Sequence, residues 1–117
     1  MSRPGAGSIV LVDWRGAALP AESTRLRPAV VVEDEGLFPP AYPNLLVVPL
    51  TRDEGLVYPS FVERIDPTPE NGAAETSWAL AHHVSSVSMK RVTPTPSRVT
   101  SEQLGGIRRR IALAVGA

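Results

Sequence analysis

Two polar residues at the ends of apolar segments are the first candidates for chemistry in this sequence. Arg27 stands in the run RLRPAVVV, and Thr51 ends the run NLLVVPLT. Pro28 disfavours a helical conformation at Arg27, so the guanidinium leaves an extended backbone in a fixed direction. The planar donors of a guanidinium match the oxygens of a phosphate group. The pattern therefore predicts a phosphate-binding residue at position 27.

The charge composition allows a local phosphate site but not capture of duplex DNA by bulk charge. The formal net charge is +0, whereas a domain that holds duplex DNA electrostatically is strongly basic. Eleven of the twelve basic residues are arginine, and Lys90 is the single lysine. This bias fits either a phosphate clamp or the base composition of the genome.

Short β-like segments separated by turn residues account for most of the chain. Twelve prolines and nine glycines punctuate these segments, as is typical of a small barrel or sandwich. The pattern predicts strands at 8–14, 27–34, 44–51, 59–66, 76–81 and 89–93, with loops at 35–43 and 67–75. We expect 59–66 to be an edge strand, and Pro49 to mark an edge or a bulge.

The C-terminal segment has the pattern of one amphipathic helix. Thr100 and Gln103 form a capping box, and apolar residues recur at helical spacing from Leu104 to Val115. We therefore predict one mainly β domain over residues 1–117, a small antiparallel barrel with a C-terminal α-helix.

Residue usage also indicates the compartment and the absence of some kinds of site. The chain has no cysteine, which fits a reducing cytoplasm and excludes thiolate metal sites. No apolar run approaches the roughly 20 residues needed to span a bilayer. No HxxxH or CxxC motif is present, and no acidic cluster indicates a metal site, so no metal is expected.

Several segments, in order, resemble the MazF/PemK family of toxin ribonucleases. They are GSIVLVDW, ESTRLRPAVVV, VVPLT, the NG turn, ALAHHVSSVSMKRV and the C-terminal helix. The resemblance implies an SH3-like barrel, a homodimer, cleavage of single-stranded RNA without metal or cofactor, and inhibition by a cognate antitoxin. Metal-free cleavage uses the 2′-hydroxyl of the RNA as nucleophile and needs a cation, a base and an acid.

The resemblance assigns roles to three residues. Arg27 matches the essential arginine of the family, and Thr51 matches a strand-end threonine whose hydroxyl can donate to phosphate. Glu22 lies five residues before Arg27, as the loop glutamate of the family does, and could be the base or could orient the arginine. Without a functional role, the arginine would be expected to form a salt bridge, the threonine to lie in a turn and the glutamate to be a solvated charge.

The histidine pair departs from the family pattern. His82 and His83 fall where the family commonly has an acid followed by glutamine. Histidine suits proton transfer near neutral pH, so we hypothesise that His82 is the acid or base. Neighbouring residues of an extended chain point to opposite faces, so at most one of the two is expected to be catalytic. His83 then contacts RNA or has a structural role.

Further RNA contacts could come from one aromatic and several basic residues. Trp14 could stack on a base, although such a residue more often packs at a barrel rim. The remaining candidates for a backbone-binding groove are Arg25, Arg52, Lys90 and Arg91. Taken singly, each of these is more often a solvated charge.

Two other functions are compatible with the same kind of barrel. One is a toxin that poisons gyrase by protein binding and has no nuclease site. The other is a catalytically degenerate barrel that only binds RNA or a protein. The set formed by Glu22, Arg27 and Thr51 favours the nuclease, because a gyrase poison does not need it.

Overall fold

The computed structural model describes residues 3–14 and 26–117. Seven strands, three short 3₁₀ turns (η1–η3) and one α-helix follow each other along the described chain. In order they are β1 Ser8–Asp13, β2 Leu26–Val31, β3 Asn44–Thr51, η1 Glu54–Leu56, β4 Val62–Ile65, β5 Ser77–Leu80, η2 Ala81–His83, β6 Ser85–Ser88, η3 Met89–Arg91, β7 Val92–Arg98 and α1 Ser101–Ala114. The mainly β fold with one C-terminal helix is therefore confirmed. No helix among the described residues is long and apolar enough to cross a membrane.

The differences from the predicted elements are concentrated in the last third of the sheet. The short strand predicted at 89–93 is wrong: this region is η3 followed by the longer β7, and β6 was not predicted. Pro94 and Pro96 both lie within β7. They are tolerated because β7 is an edge strand, where a missing N–H can face solvent.

All described strand pairs are antiparallel, and β3 lies inside the sheet. The strand order is β4-β5-β3-β2-β1-β7, and β6 also pairs with β3. The edge position predicted for 59–66 is confirmed by β4. Pro49 does not mark an edge, because β3 changes partner there, from β6 at 44–47 to β5 at 50–51. The proline thus removes no ladder hydrogen bond on that side.

Two apolar clusters lie on opposite faces of the central strands. One cluster packs β2 and β3 against α1 and includes Val30, Val48 and Ile107. The other packs the alternate residues of the same strands, such as Val31 and Val47, with residues of β1 and β6. The nearly continuous apolar runs of β2 and β3 are therefore explained by burial on both faces within one chain. They give no separate argument for a dimer.

The helix begins as the sequence predicts. Thr100 accepts a hydrogen bond from the N–H of Gln103 at 3.1 Å, and its own N–H donates to the Gln103 side chain at 2.9 Å. Arg108 ties the helix to the end of β2, donating to the carbonyls of Val32 and Glu33 at 3.0 and 2.8 Å. These local and tertiary contacts fix the register of α1 on the sheet.

A largely buried ion pair holds the N-terminal segment against the same end of β2. The guanidinium of Arg3 donates to both carboxylate oxygens of Glu33, at 2.7 and 2.9 Å. It also donates to the Tyr42 carbonyl at 2.7 Å and lies 5.6 Å from the ring centroids of Phe38 and Tyr42. The hydrogen bond to Glu33 raises the pKa of Arg3 more than any other contact does. The Glu33 carboxylate accepts from Leu46 N as well, at 3.1 Å, so the pair links three segments.

Adjacent glycines in α1 should respond to alanine to different extents. We expect Gly105→Ala to stabilise the protein by about 0.5–1 kcal/mol, because the new methyl meets only the Arg109 side chain at 3.4 Å and helix propensity improves. A Cβ on Gly106 would overlap the Glu63 carboxylate, which is paired with Arg110 at 2.9 Å. Gly106→Ala should therefore gain less stability than Gly105→Ala, because the Glu63 side chain must move away from Arg110 and the weakened ion pair offsets the gain in helix propensity. Urea denaturation of both variants measures the difference, and equal effects would contradict this packing.

Candidate active site

The ends of β2 and β3 bring the two residues singled out at the start to one place. Ala29 pairs with Pro49 and Val31 with Val47. Arg27 lies two residues before Ala29, and Thr51 lies two residues after Pro49, so both residues stand at the same end of this antiparallel strand pair. Both residues are buried, with exposed fractions of 9% and 5%. An arginine and a hydroxyl that are 24 positions apart in the sequence thus lie at the same end of the sheet.

Arg27 and Thr51 line one cavity of about 550 Å³ at this end of the sheet. Its apolar lining comes from the strands and includes Ile9, Leu11 and Leu50. Polar residues from three further segments complete the wall: Arg52 and Asp53 after β3, Asn71, Glu75 and Ser77 before and in β5, and Thr95 and Ser97 in β7. A cavity of this size, with a few polar groups in an apolar lining, is typical of a ligand site.

The Thr51 hydroxyl is oriented by the turn that follows it. Thr51 Oγ1 accepts a hydrogen bond from the N–H of Asp53 at 3.0 Å. Asp53 in turn caps η1 by accepting from Gly55 N at 2.9 Å. Since a hydroxyl has one donor and two acceptor positions, Thr51 keeps its own O–H available as a donor. This is the role that binding of a phosphate oxygen requires.

Another part of the cavity wall is formed by the buried Asn71, which the sequence indicated only as part of a turn. Asn71 Oδ1 accepts from the N–H groups of Thr68 and Ala73 at 3.1 and 2.9 Å, and Nδ2 donates to the Asp66 carbonyl at 2.9 Å. Gly72 follows with φ of +64°, a conformation that glycine adopts without strain. The Asn-Gly pair signalled a turn, but nothing local indicated that this turn lines the same cavity as Arg27.

Arg52 forms an ion pair across the same cavity lining. Its Nη1 lies 3.1 Å from Oε2 of Glu75, and the two side chains are 66% and 67% exposed. Glu75 was not among the residues that the sequence suggested for the site. Its contact with Arg52 joins segments that are more than twenty positions apart, so only the folded chain reveals it.

The histidine pair lies away from this cavity, contrary to the extended chain assumed for it. His82 and His83 belong to η2, and their ring centroids are 4.3 Å apart, so they do not point to opposite faces. His82 packs on Phe61, with 4.9 Å between the ring centroids. Trp78 is the partner of Thr51 in β5, whereas His82 lies in η2, beyond the end of this strand, and is not part of the cavity lining. The structure thus does not bring His82 together with Arg27 and Thr51.

The environment of His83 disfavours its charged form. Partial burial is the main cause that lowers its pKa, and the nearby His82 adds a smaller effect. A histidine whose pKa is lower in the folded state binds fewer protons there than in the unfolded state. Its contribution to stability is therefore present above the unfolded pKa of about 6.5 and is lost as pH falls through the folded pKa.

We expect His82→Ala to leave the pH–rate profile of RNA cleavage unchanged, because His82 lies outside the cavity. The same variant should lose less thermal stability between pH 7 and pH 5 than the wild type, because protonated His83 no longer meets the charge of His82. Initial rates and melting temperatures across this pH range measure both effects. A shifted or flattened rate profile would restore His82 to the mechanism.

The other residues that the sequence suggested for the site include Trp14, Lys90 and Arg91. Trp14 packs against the cluster that contains Val12 and Val31, as a rim residue does, and its Nε1 is buried without a hydrogen bond to any described residue. Lys90 and Arg91 are exposed in η3 and are not part of the cavity lining. Val92 and Arg27 flank Val12 on its two sides, so Arg91 still lies near this end of the sheet. Glu22 and Arg25 lie outside the described residues.

Comparison with known proteins defines the family of the chain. The family model for the PemK-like, MazF-like toxin of type II toxin–antitoxin systems matches residues 6–115. The chain belongs to the PemK/MazF toxin family. No curated protein matches the sequence.

Solved structures of MazF proteins have the same fold. The MazF-mt6 toxin of Mycobacterium tuberculosis is similar with a TM-score of 0.71 at 15% identity, over 93% of this chain and 96% of that one. MazF from Deinococcus radiodurans is similar with a TM-score of 0.70 at 24% identity, over 97% of both chains. A mycobacterial endoribonuclease solved with its cognate antitoxin gives a TM-score of 0.68 at 17% identity, over 99% and 96%. The PemK/MazF fold therefore extends over nearly the whole chain.

Within residues 3–14 and 26–117, no group of three or more histidine, aspartate or glutamate side chains could hold a metal ion. The described part of the cavity lining includes the buried guanidinium of Arg27, the hydroxyl of Thr51 and the exposed guanidinium of Arg52. These groups can bind phosphate and stabilise added negative charge on it.

Proposed function

We propose that this PemK/MazF-family chain is a metal-independent, sequence-specific endoribonuclease toxin that cleaves single-stranded RNA. The observation that carries the proposal is the shared cavity of Arg27 and Thr51. In the proposed reaction the 2′-hydroxyl attacks the adjacent phosphorus, and the 5′-oxygen leaves. The products are a 2′,3′-cyclic phosphate and a 5′-hydroxyl end.

Arg27 and Thr51 act on the charge that develops on the phosphate. Two guanidinium N–H groups can bind two non-bridging oxygens at once, and the Thr51 hydroxyl can donate to a third site on the same group. Both residues are buried, so their hydrogen bonds to a phosphorane are stronger than they would be in water. Donors fixed before the reaction stabilise the transition state without reorganisation.

The proton transfers need a base and an acid besides these two residues. Glu22 is our candidate, from its position five residues before Arg27 and its match to the loop glutamate of the family. His82 is not favoured, because it lies outside the cavity that Arg27 and Thr51 line. Glu22→Gln therefore tests the base more directly than His82→Ala does.

Incubation of the purified protein with a long RNA in the presence of EDTA tests the proposal. We expect cleavage at a short recurring sequence, cyclic phosphate at the upstream end and a 5′-hydroxyl that polynucleotide kinase can label without prior phosphatase treatment. End mapping gives the recognition sequence in the same experiment. RNA that stays intact at micromolar enzyme, with the fold verified by circular dichroism, would overturn the nuclease in favour of a binding function.

We further propose that the toxin acts in the cytoplasm as a homodimer and is neutralised by a cognate antitoxin. The support is family membership, together with relatives solved as a complex with a cognate antitoxin and as a MazE–MazF complex. Light scattering at micromolar concentration tests the dimer, and only monomer would contradict it.

A further inference from the structure

The ion pair between Arg52 and Glu75 lies in the cavity lining, although neither residue has a role in the proposed cleavage chemistry. Four charged residues contribute to the described lining of the cavity: Arg27, Arg52, Asp53 and Glu75. The two cations are thus matched by two carboxylates. A carboxylate that pairs with one of these cations weakens the attraction of the cavity for a polyanion such as RNA.

The two carboxylates are held in different ways. Asp53 accepts hydrogen bonds as the cap of η1, through Gly55 N at 2.9 Å, and this turn fixes its position. Glu75 has its Oε2 on Arg52 Nη1 at 3.1 Å. Glu75 thus occupies one donor of the exposed guanidinium next to Thr51, where a phosphate would bind.

We propose that Glu75 competes with the RNA backbone phosphate for Arg52, and so sets the affinity of the cleft. This inference rests on the proposed RNA-binding function. When a phosphodiester binds Arg52, the Glu75 carboxylate turns into solvent. Both side chains are about two-thirds exposed, so the exchange needs no movement of the backbone.

Glu75 could also affect RNA affinity in the opposite direction. A carboxylate that holds Arg52 in place could preorganise the remaining N–H groups for phosphate, and its loss would then weaken binding. Exposed ion pairs fix their side chains poorly, whereas a carboxylate close to a phosphate repels it. Competition should therefore exceed preorganisation, and removal of the Glu75 charge should strengthen RNA binding.

A binding cycle with Glu75→Gln and Arg52→Gln tests the competition. The probe is a fluorescein-labelled 2′-O-methyl oligoribonucleotide pool of random sequence, which cannot supply the nucleophilic hydroxyl. We expect Glu75→Gln to lower the Kd about two- to fivefold at low salt, the range that the loss of an exposed ion pair allows. The slope of log K against log salt should become steeper by up to about 0.7, the value for one additional phosphate contact on a single strand.

Two comparisons separate competition at Arg52 from a general change in charge. Glu70→Gln removes a carboxylate from the same loop, from a residue outside the cavity lining, and should leave the salt slope unchanged. In the Arg52→Gln background, Glu75→Gln should give no more gain than Glu70→Gln does. An unchanged or raised Kd for Glu75→Gln, or an equal gain with and without Arg52, would overturn the inference.

The outcome can be told apart from failure of the proposed nuclease. If wild type binds the oligonucleotide and the cycle behaves as expected, but EDTA-treated RNA is not cut, the inference stands and the nuclease fails. If RNA is cut but the cycle shows no coupling, the nuclease stands and the inference fails. Wild type that binds no oligonucleotide at any salt concentration overturns the inference directly.

Discussion

Arg27→Lys is expected to lower kcat for RNA cleavage by about 100- to 1000-fold, with a smaller change in KM. Removal of one preorganised donor to a developing oxyanion has an effect of this order. Lysine keeps the positive charge but loses the planar fork that binds two phosphate oxygens. Because Arg27 is buried beside Thr51, a flexible ammonium cannot recover the second contact from another direction. Single-turnover cleavage of a short RNA that contains the mapped sequence measures the effect.

Arg109→Lys is the matched control for this substitution. Arg109 is exposed on α1 and does not contribute to the cavity lining, so its variant should cleave RNA at the wild-type rate. Melting temperatures of both variants show whether the fold is kept. A loss of less than tenfold in kcat for folded Arg27→Lys would remove the guanidinium from the transition state.

Arg3→Met is expected to destabilise the protein by about 3 kcal/mol, although Arg3 is not part of the cavity lining. The substitution leaves the Glu33 carboxylate, whose side chain is 3% exposed, without its bidentate partner. Loss of one partner from a buried ion pair is costly because an uncompensated charge stays in a poorly solvated site. Urea denaturation at pH 7 measures the change.

The double variant Arg3→Met/Glu33→Met tests the reason for this loss. Since it removes both charges, it should be more stable than Arg3→Met alone. Arg64→Met breaks the exposed pair with Asp66, whose side chains are 67% and 60% exposed, and should leave the melting temperature nearly unchanged. A double variant less stable than the single one would mean that packing by Glu33, and not its unpaired charge, dominates.

Features that depend on near neighbours in the sequence were predictable. The capping box of α1 needs only Thr100 and Gln103, three positions apart, and the structure contains both of its hydrogen bonds. Burial of β2 and β3 on both faces likewise follows from their nearly continuous runs of apolar residues, which supply alternate side chains to two clusters. The edge position of β4 followed from its lack of an apolar face.

Features that depend on pairing between distant segments were predicted less well. The histidines were assigned to extended chain, but the backbone turns at η2 directly after β5. The strand predicted at 89–93 ended before Pro94, whereas β7 runs through both of its prolines, because an edge strand accepts them. In both cases the neighbouring strands, and not local preference, decide where pairing ends.

The candidate site shows the same division. The sequence by itself determined that Arg27 has an extended backbone before Pro28, that Thr51 ends an apolar strand, and that a capped helix closes the chain. Only the tertiary structure decided that these two strand ends meet in one cavity, that Glu75 pairs with Arg52 beside it, and that His82 lies elsewhere. The reason is that caps and strand alternation arise from interactions a few residues apart, while an active site is built by cross-strand register between segments that local chemistry does not relate.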